Sequence, residues 1–231
     1  MVILTDLSEV LVKGVFGAEK YVKEYYGAKV AKCYLNRRRE INTIFCELLR
    51  GHISEDIYWE VFLQQGKWPF DVEELKRFLS LNLAEVIPGT LDVYRRIISY
   101  PDTLKLTKDY AVIDGRPEIW LVSDHILERE EELEYLHPDI FTLTSRQIWS
   151  FDYSALKGDP GFFEYLLSCY CLPAEEVLFV DDLEVNTEAA YKAGIKSILF
   201  KNAEQLETRL SRLGFSFANT VQEANELTLR E

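Results

Sequence analysis

A chain of 231 residues with 48% apolar and 13% aromatic side chains has the burial potential for one large domain, or for a core carrying a smaller insertion. That composition excludes a disordered chain and a minimal scaffold dependent on disulfides. Lys plus Arg number 26 against 39 Asp plus Glu, and the resulting net charge of −13 repels phosphate backbones and anionic lipid, so neither nucleic acid nor a membrane surface is an expected partner.

The chain opens on a short apolar, β-rich run, Val2 to Leu4, that ends in Thr5-Asp6. Asp6 cuts this run far short of a signal sequence, and no later run approaches membrane-spanning length, so the expected location is the cytosol. From about residue 14 to 87 the pattern is helical only. Its pieces are Ala18 to Tyr26, Ala31 to Leu49, Ser54 to Leu63 and Val72 to Asn82, with Ser54-Glu55-Asp56 as a helix start and Pro88-Gly89-Thr90 as the close. Leu91 to Ile98 reads as the next core helix. Pro101-Asp102, Asp114-Gly115 and Pro117 then frame Tyr110 to Ile113 in the manner of a hairpin.

Further β-rich runs follow at Ile119 to Ser123, Ile140 to Thr144, Val177 to Val180 and Lys196 to Phe200, most of them separated by helical patterns. Ala203 to Leu213 and Val221 to Leu229 are amphipathic and charged. Alternating strands and helices predict an α/β fold, a parallel sheet with helices on both faces. An all-helical layer is inserted after the first strand, giving a core of residues 1–13 and 88–231 and a cap of residues 14–87. Four runs end in Thr5-Asp6, Ser123-Asp124, Ser145 and Asp181-Asp182, which collects polar groups at carboxyl ends of strands, the ligand-binding edge of such sheets. Cys33, Cys46, Cys169 and Cys171 lack zinc-site spacing, His52, His125 and His137 do not supplement them, and the cysteines read as reduced thiols used in packing.

Asp6, Ser123, Lys157, Asp181 and Asp182 form a chemically coherent set. A carboxylate ending the first strand can attack phosphorus if a divalent cation screens the repulsion. Two carboxylates ending a later strand can hold that cation, for which magnesium is suited by its preference for hard oxygen ligands. A hydroxyl and an ammonium can hold the non-bridging phosphate oxygens.

In this light the sequence resembles the haloacid dehalogenase-like (HAD) hydrolase superfamily over nearly its whole length. Val2-Ile-Leu-Thr-Asp6-Leu-Ser-Glu-Val-Leu11 is similar to the first motif, Ile119-Trp-Leu-Val-Ser123-Asp to the second, Lys157-Gly-Asp-Pro160 to the third, and Val177-Leu-Phe-Val-Asp181-Asp182-Leu-Glu-Val-Asn186 to the fourth. Gly51-His-Ile-Ser54 and Ile87-Pro-Gly-Thr90 look like parts of a type-one helical cap. The resemblance implies a Rossmann-like core and a Mg2+-dependent phosphatase of a small phosphorylated metabolite. Asp6 would be the nucleophile and a metal ligand, with the Ser8 main-chain carbonyl, Asp181 and Asp182 completing the metal set. Ser123 would hold the phosphoryl group and Lys157 would balance charge.

The sequence departs from the family pattern in several places. Where most phosphatases of the superfamily carry a second Asp two residues after the nucleophile, to protonate the leaving group and activate water, this chain has Ser8. A hydroxyl cannot exchange a proton near neutral pH as a carboxyl can. Glu9 is the adjacent substitute, projecting differently. Gly158 replaces the usual Pro, and the stretch from Ser145 to Leu156, with Trp149, is longer than the family norm. Two alternatives follow: a weakly active or non-catalytic binding protein, and a metal-independent dehalogenase, against which the adjacent acids Asp181-Asp182 argue. In the cap, Arg37, Arg38 and Arg39 offer guanidinium groups to an anionic substrate or face solvent, and Tyr58, Trp59 and Trp68 read as packing.

Overall fold

The computed structural model describes residues 1–14, 17–99 and 117–228. Five short strands, β1 (Val2–Thr5), β3 (Glu118–Ser123), β4 (Arg146–Trp149), β5 (Val177–Asp181) and β6 (Lys196–Leu199), form a parallel sheet in the order β4-β3-β1-β5-β6. β1 and β5 are buried along their entire length, so they read as unbroken apolar runs rather than alternating ones. Successive side chains point to opposite faces. Ile3, Leu121, Leu178 and Val180 pack on one side, with Val93 and Tyr94 of α5 (Thr90–Arg96) and Leu206 and Leu210 of α11 (Ala203–Arg212). Leu4, Val122 and Phe179 pack on the other, with Phe162, Phe163 and Leu166 of α9 (Phe162–Cys169) and Ala190 of α10 (Glu184–Lys192). Both faces are thus covered, as expected of an α/β sheet.

Between β1 and α5 the described chain forms helices α1 (Glu19–Glu40), α2 (Asn42–Leu49), α3 (Glu55–Leu63) and α4 (Val72–Leu83). α1 is interrupted at Gly27, whose φ of 84° lies outside the helical region and is tolerated by glycine. Ser54 caps α3 by accepting from the Ile57 amide at 3.4 Å, and Asp71 caps α4 by accepting from Glu74 at 2.9 Å. The chain enters and leaves this layer side by side: Lys13 N–H donates to Glu85 O at 2.7 Å and Ile87 N–H to Leu11 O at 2.8 Å. Among the described residues no helix is long and apolar enough to cross a membrane.

Several expectations are corrected. Ile140 to Thr144 is not a strand but most of helix α7 (Pro138–Leu143), which follows α6 (Glu130–Leu136). Pro138, with its φ preset for a first helical turn, outweighs the β-rich composition that follows. The strand comes next, as β4, whose Arg146 and Gln147 disguise it because it lies at the sheet edge, where polar residues are tolerated. Ser145 therefore immediately precedes a strand instead of ending one and sits at the opposite end of the sheet from Asp6. Ala31 to Leu49 breaks at Ile41, and Leu91 to Ile98 gives way after Arg96 to β2 (Ile97–Ser99), which pairs antiparallel with β7 (Ser216–Phe217). The expected packing of the cysteines holds only for half-buried Cys46: all four are free, as expected, but Cys33 of α1 is exposed, and so are Cys169 and Cys171, because α9 turns Phe162, Phe163 and Leu166 inward and ends at Cys169. The hairpin around Tyr110 to Ile113 lies outside the described residues. Trp149, unexplained by sequence, ends β4 fully packed and donates from Nε1 to Glu130 at 2.8 Å; α8 (Ser150–Tyr153) follows it. The last helix is α12 (Val221–Thr228).

A buried ion pair ties the helical layer to the sheet. Arg129, just after β3, donates to Glu55 of α3 from Nε at 2.9 Å and from Nη2 at 2.7 Å, and Glu55 also accepts from Trp59 Nε1 at 2.8 Å. Glu55 and Arg129 are 4% and 7% exposed, and with Glu55 deleted Arg129 keeps only the less buried Glu132, at 2.5 Å, as an ion-pair partner. Glu55→Ala should therefore lower the free energy of unfolding by about 2–4 kcal/mol in urea titrations. A loss under about 1 kcal/mol, the range of exposed pairs, would show that water compensates the guanidinium.

Candidate active site

The residues singled out from sequence converge where three strands end. Asp6 follows β1, its amide donating to Val180 O of β5 at 2.9 Å, while its Oδ1 accepts from Leu7 N–H at 2.7 Å. Ser123 ends β3 and Asp181 ends β5. Lys157 comes from the loop between α8 and α9, where its main-chain N–H donates to Asp124 Oδ1 at 3.0 Å. That anchor directs its ammonium inward, 2.6 Å from Asp6 Oδ1 and 2.7 Å from Asp181 Oδ2. Asp181 also accepts from Leu183 N–H at 2.8 Å and from Asn186 Nδ2 at 3.1 Å to each oxygen. One carboxylate oxygen from each of Asp6, Asp181 and Asp182 lies within 4.8 Å of the others.

So many acids around one ammonium leave excess negative charge. Burial, together with the neighbouring Asp181 and Asp182, outweighs Lys157 and pushes the Asp6 carboxyl well above the usual range. Asp182, half-buried beside Asp181, is pushed up to about 6 by the same causes, burial first. Burial works against the Lys157 ammonium, but Asp181, Asp6 and Asp124 together overcome it and hold the ammonium charged. Loss of solvent also raises Asp124.

A cavity of about 630 Å3 opens over this cluster. Asp6, Ser8, Lys157 and Asp182 line it, with Glu9 and Asp124; Ser123 and Asp181 are buried and are not among its lining residues. The Ser123 and Ser8 hydroxyls are buried without a hydrogen-bond partner. Glu9 sits at a positive φ of 61°, and its carboxylate accepts from Lys13 Nζ at 3.0 Å and Gly14 N–H at 3.1 Å, so it is occupied in fixing the loop. α2 forms the facing wall with Asn42, Phe45, Cys46 and Leu49. None of Arg37, Arg38 and Arg39 lines it; Arg37 is buried and donates to the carbonyls of Phe62 at 3.0 Å and Val61 at 2.5 Å. Tyr58, Trp59 and Trp68 pack in an aromatic cluster with Phe62.

Sequence reasoning assigned no role to Asn186, Asp124, Asp159 or Arg50. Asn186 follows Asp181 by five residues, in the first turn of a helix entered from a strand end, and that spacing was the available signal. The Arg50 guanidinium donates to both oxygens of Asp159 at 2.9 Å, linking the end of α2 to the Lys157 loop.

No family model matches the chain. Drimenol cyclase drtB of Aspergillus calidoustus is 35% identical over 57 residues, a quarter of this chain, and the match spans only 11% of that protein. Solved structures align over most of the chain. A HAD-family enzyme of Bacteroides thetaiotaomicron, solved with magnesium and inorganic phosphate, superimposes with a TM-score of 0.59 at 15% identity, covering 87% of this chain and 94% of that one. A structure described as a predicted HAD-like family hydrolase of Porphyromonas gingivalis gives 0.62 at 16% identity, covering 92% and 96%. YfnB of Bacillus subtilis, described as a HAD-hydrolase bound to magnesium, gives 0.60 at 14% identity, covering 91% and 98%. The chain has the fold of the HAD hydrolases.

His125 lies next to the site and is buried. Its Nδ1 faces the Ile126 main chain, 2.9 Å from the N–H and 3.3 Å from the carbonyl oxygen, and its Nε2 is buried without a partner. Burial lowers its pKa to about 4. The unfolded chain takes up a second ring proton near pH 6.5 and the folded one does not, so His125 withdraws stability as pH falls from about 6.5 to 4. Thermal unfolding followed across that window should show a steeper acid loss for the wild type than for His125→Phe. Parallel curves would overturn the assignment.

Proposed function

We propose that the chain is a magnesium-dependent phosphomonoester hydrolase that acts on a small phosphorylated metabolite through an aspartyl-phosphate on Asp6. The observation that carries this reading is the approach of Asp6, Asp181 and Asp182 within 4.8 Å around the single ammonium of Lys157. Buried oxygen donors with raised pKa values suit a hard divalent cation, since a cation would favour the ionised form that burial, and then the neighbouring acids, disfavour. The magnesium in the Bacteroides and Bacillus structures and the phosphate in the former support the same choice. Asp6, Asp181, Asp182 and the Ser8 carbonyl would hold the ion, which supplies positive charge against the phosphoryl oxygens.

In the chemistry that follows, Asp6 attacks phosphorus and the ester P–O bond breaks, the leaving alkoxide taking a proton. Lys157 holds its charge between Asp6 and the phosphoryl oxygens, and the unpartnered Ser123 hydroxyl donates to one of those oxygens. Water then cleaves the acyl phosphate, restoring the Asp6 carboxylate and releasing inorganic phosphate. Residues 14–87 act as a cap that screens this sequence from bulk water. A second reading, a weakly active or binding protein, is favoured by one observation: Ser8 has no carboxyl, and Glu9 is tied to Lys13 and Gly14. A metal-independent dehalogenase suits the site less well, because Asp181 and Asp182 gain nothing there from adjacency.

Two experiments test the proposal. Asp6→Asn keeps the side-chain volume and an acceptor for Leu7 N–H, so the fold should persist while magnesium-dependent hydrolysis of phosphate esters falls below a few per cent; more than that, after deamidation is excluded, removes Asp6 from the role. A site without the second carboxyl should turn over 4-nitrophenyl phosphate about 10²-fold or more faster than an alkyl phosphate, with acyl phosphate accumulating, and Ser8→Asp should narrow the gap. Equal rates on both esters, unchanged in Ser8→Asp, would place the proton donor elsewhere.

A further inference from the structure

The cavity is chemically two-sided. Asp6, Asp182, Asp124 and Lys157 gather at the phosphoryl end, and Phe45, Cys46 and Leu49 from α2 with Leu156, Leu183 and Val185 from the core make up the apolar part of the remaining wall, beside Asn42, Asn186 and the Arg50-paired Asp159. Lys157 is the one cation among the described lining residues. Arg50, next along from α2, is turned away into its bidentate pair with Asp159 and a bond to Glu47 at 3.0 Å. A second anionic group on a substrate would therefore meet Glu9, Asp124, Asp159 and Asp182 and no guanidinium. A polyol would find Asn42 as the single polar side chain on the α2 wall, and its remaining hydroxyls would have to turn to the charged cluster and to Asn186, whose amide is already engaged by Asp181. Leu183 and Val185 are 46% and 58% exposed beside this opening, so the protein spends apolar surface there that its own packing does not cover.

From this we infer that the group esterified to the phosphate is an apolar alcohol, an aliphatic or aromatic chain, and not a sugar, polyol or second phosphate. The inference rests on the phosphatase reading for the identity of the reacting group, but the apolar wall is testable without turnover. The probes are n-alkylphosphonates of two to eight carbons, titrated calorimetrically into the magnesium-loaded protein. Each methylene buried against this wall should tighten binding by about three- to fourfold until the cavity is filled, and glucose 6-phosphate should bind no more tightly than ethylphosphonate. Val185→Ser, at an exposed position that does not threaten the fold, should weaken octylphosphonate by about threefold while leaving ethylphosphonate unchanged. A flat series, no measurable binding of octylphosphonate, or preference for the sugar phosphate would overturn the inference. Hydrolysis of acetyl phosphate, whose leaving group is too small to use the wall, separates the two readings. A rising series without acetyl phosphate hydrolysis keeps the apolar pocket and rejects the phosphatase, and hydrolysis with a flat series does the reverse.

Discussion

Lys157 is 2% exposed, and its ammonium bridges carboxylates that end two adjacent strands. An isolated charge at that depth would be prohibitively costly, as would either acid without it. The parallel sheet makes the arrangement possible: β1 and β5 pair in register, Thr5 opposite Val180, so the residues that follow emerge side by side. The Lys157 main chain is in turn held by Asp124, next after β3, so three strand ends are fixed by one side chain and its own backbone. The bridge balances the ammonium but leaves the three acids with surplus negative charge, which is what would draw a cation to the site. Structure and chemistry here have one cause.

The helical layer is fastened to the core by charge at two places. Glu55 and Arg129 form the buried fastening, and Arg50 and Asp159 the more exposed one. Their energetic roles differ for that reason. The first pair is stabilising chiefly in the sense that breaking it is costly, whereas the second is partly screened by water and contributes less. Since Asp159 also accepts from Leu156 N–H at 2.9 Å, immediately before Lys157 in the loop, the Arg50 pair braces the backbone that presents the ammonium. α2 thus contributes both a wall of the cavity and a support for its charge centre.

What was legible in the sequence follows from how local each signal is. Asp6, Asp181 and Asp182 could be read because apolar runs end in acids, and the sheet architecture turns such ends into one edge. Lys157 could be read only through its motif, since nothing local says that a lysine in a loop will be buried. The pairs Glu55–Arg129 and Arg50–Asp159 join residues far apart in sequence and carry no local mark. Ile140 to Thr144 shows the opposite failure: a β-rich composition was present, yet Pro138 and the burial of Ile140 made a helix, while the true edge strand offered only Ile148 and Trp149 as buried apolar residues.

The loop after Asp6 explains why no carboxyl serves near the leaving group. Gly14 packs so closely on Ser8 that a Cβ at Gly14 would lie 2.8 Å from the Ser8 Cβ, and Glu9, held at a positive φ, spends its carboxylate on Lys13 and on the Gly14 amide. The turn is closed by the one neighbouring carboxyl that could stand in for the missing acid. If the site is the proposed phosphatase, it would favour leaving groups that bear negative charge without protonation, aryl oxides above alkoxides. The wall of Phe45, Leu49, Leu156 and Val185 selects for the same molecules on a separate ground, because an aromatic ring gains by burial there and needs no polar partner. In the proposed phosphatase, Ser8 and the apolar wall, which sequence motifs leave unconnected, would thus act on one property of the substrate: a hydrophobic group that departs as a stable anion.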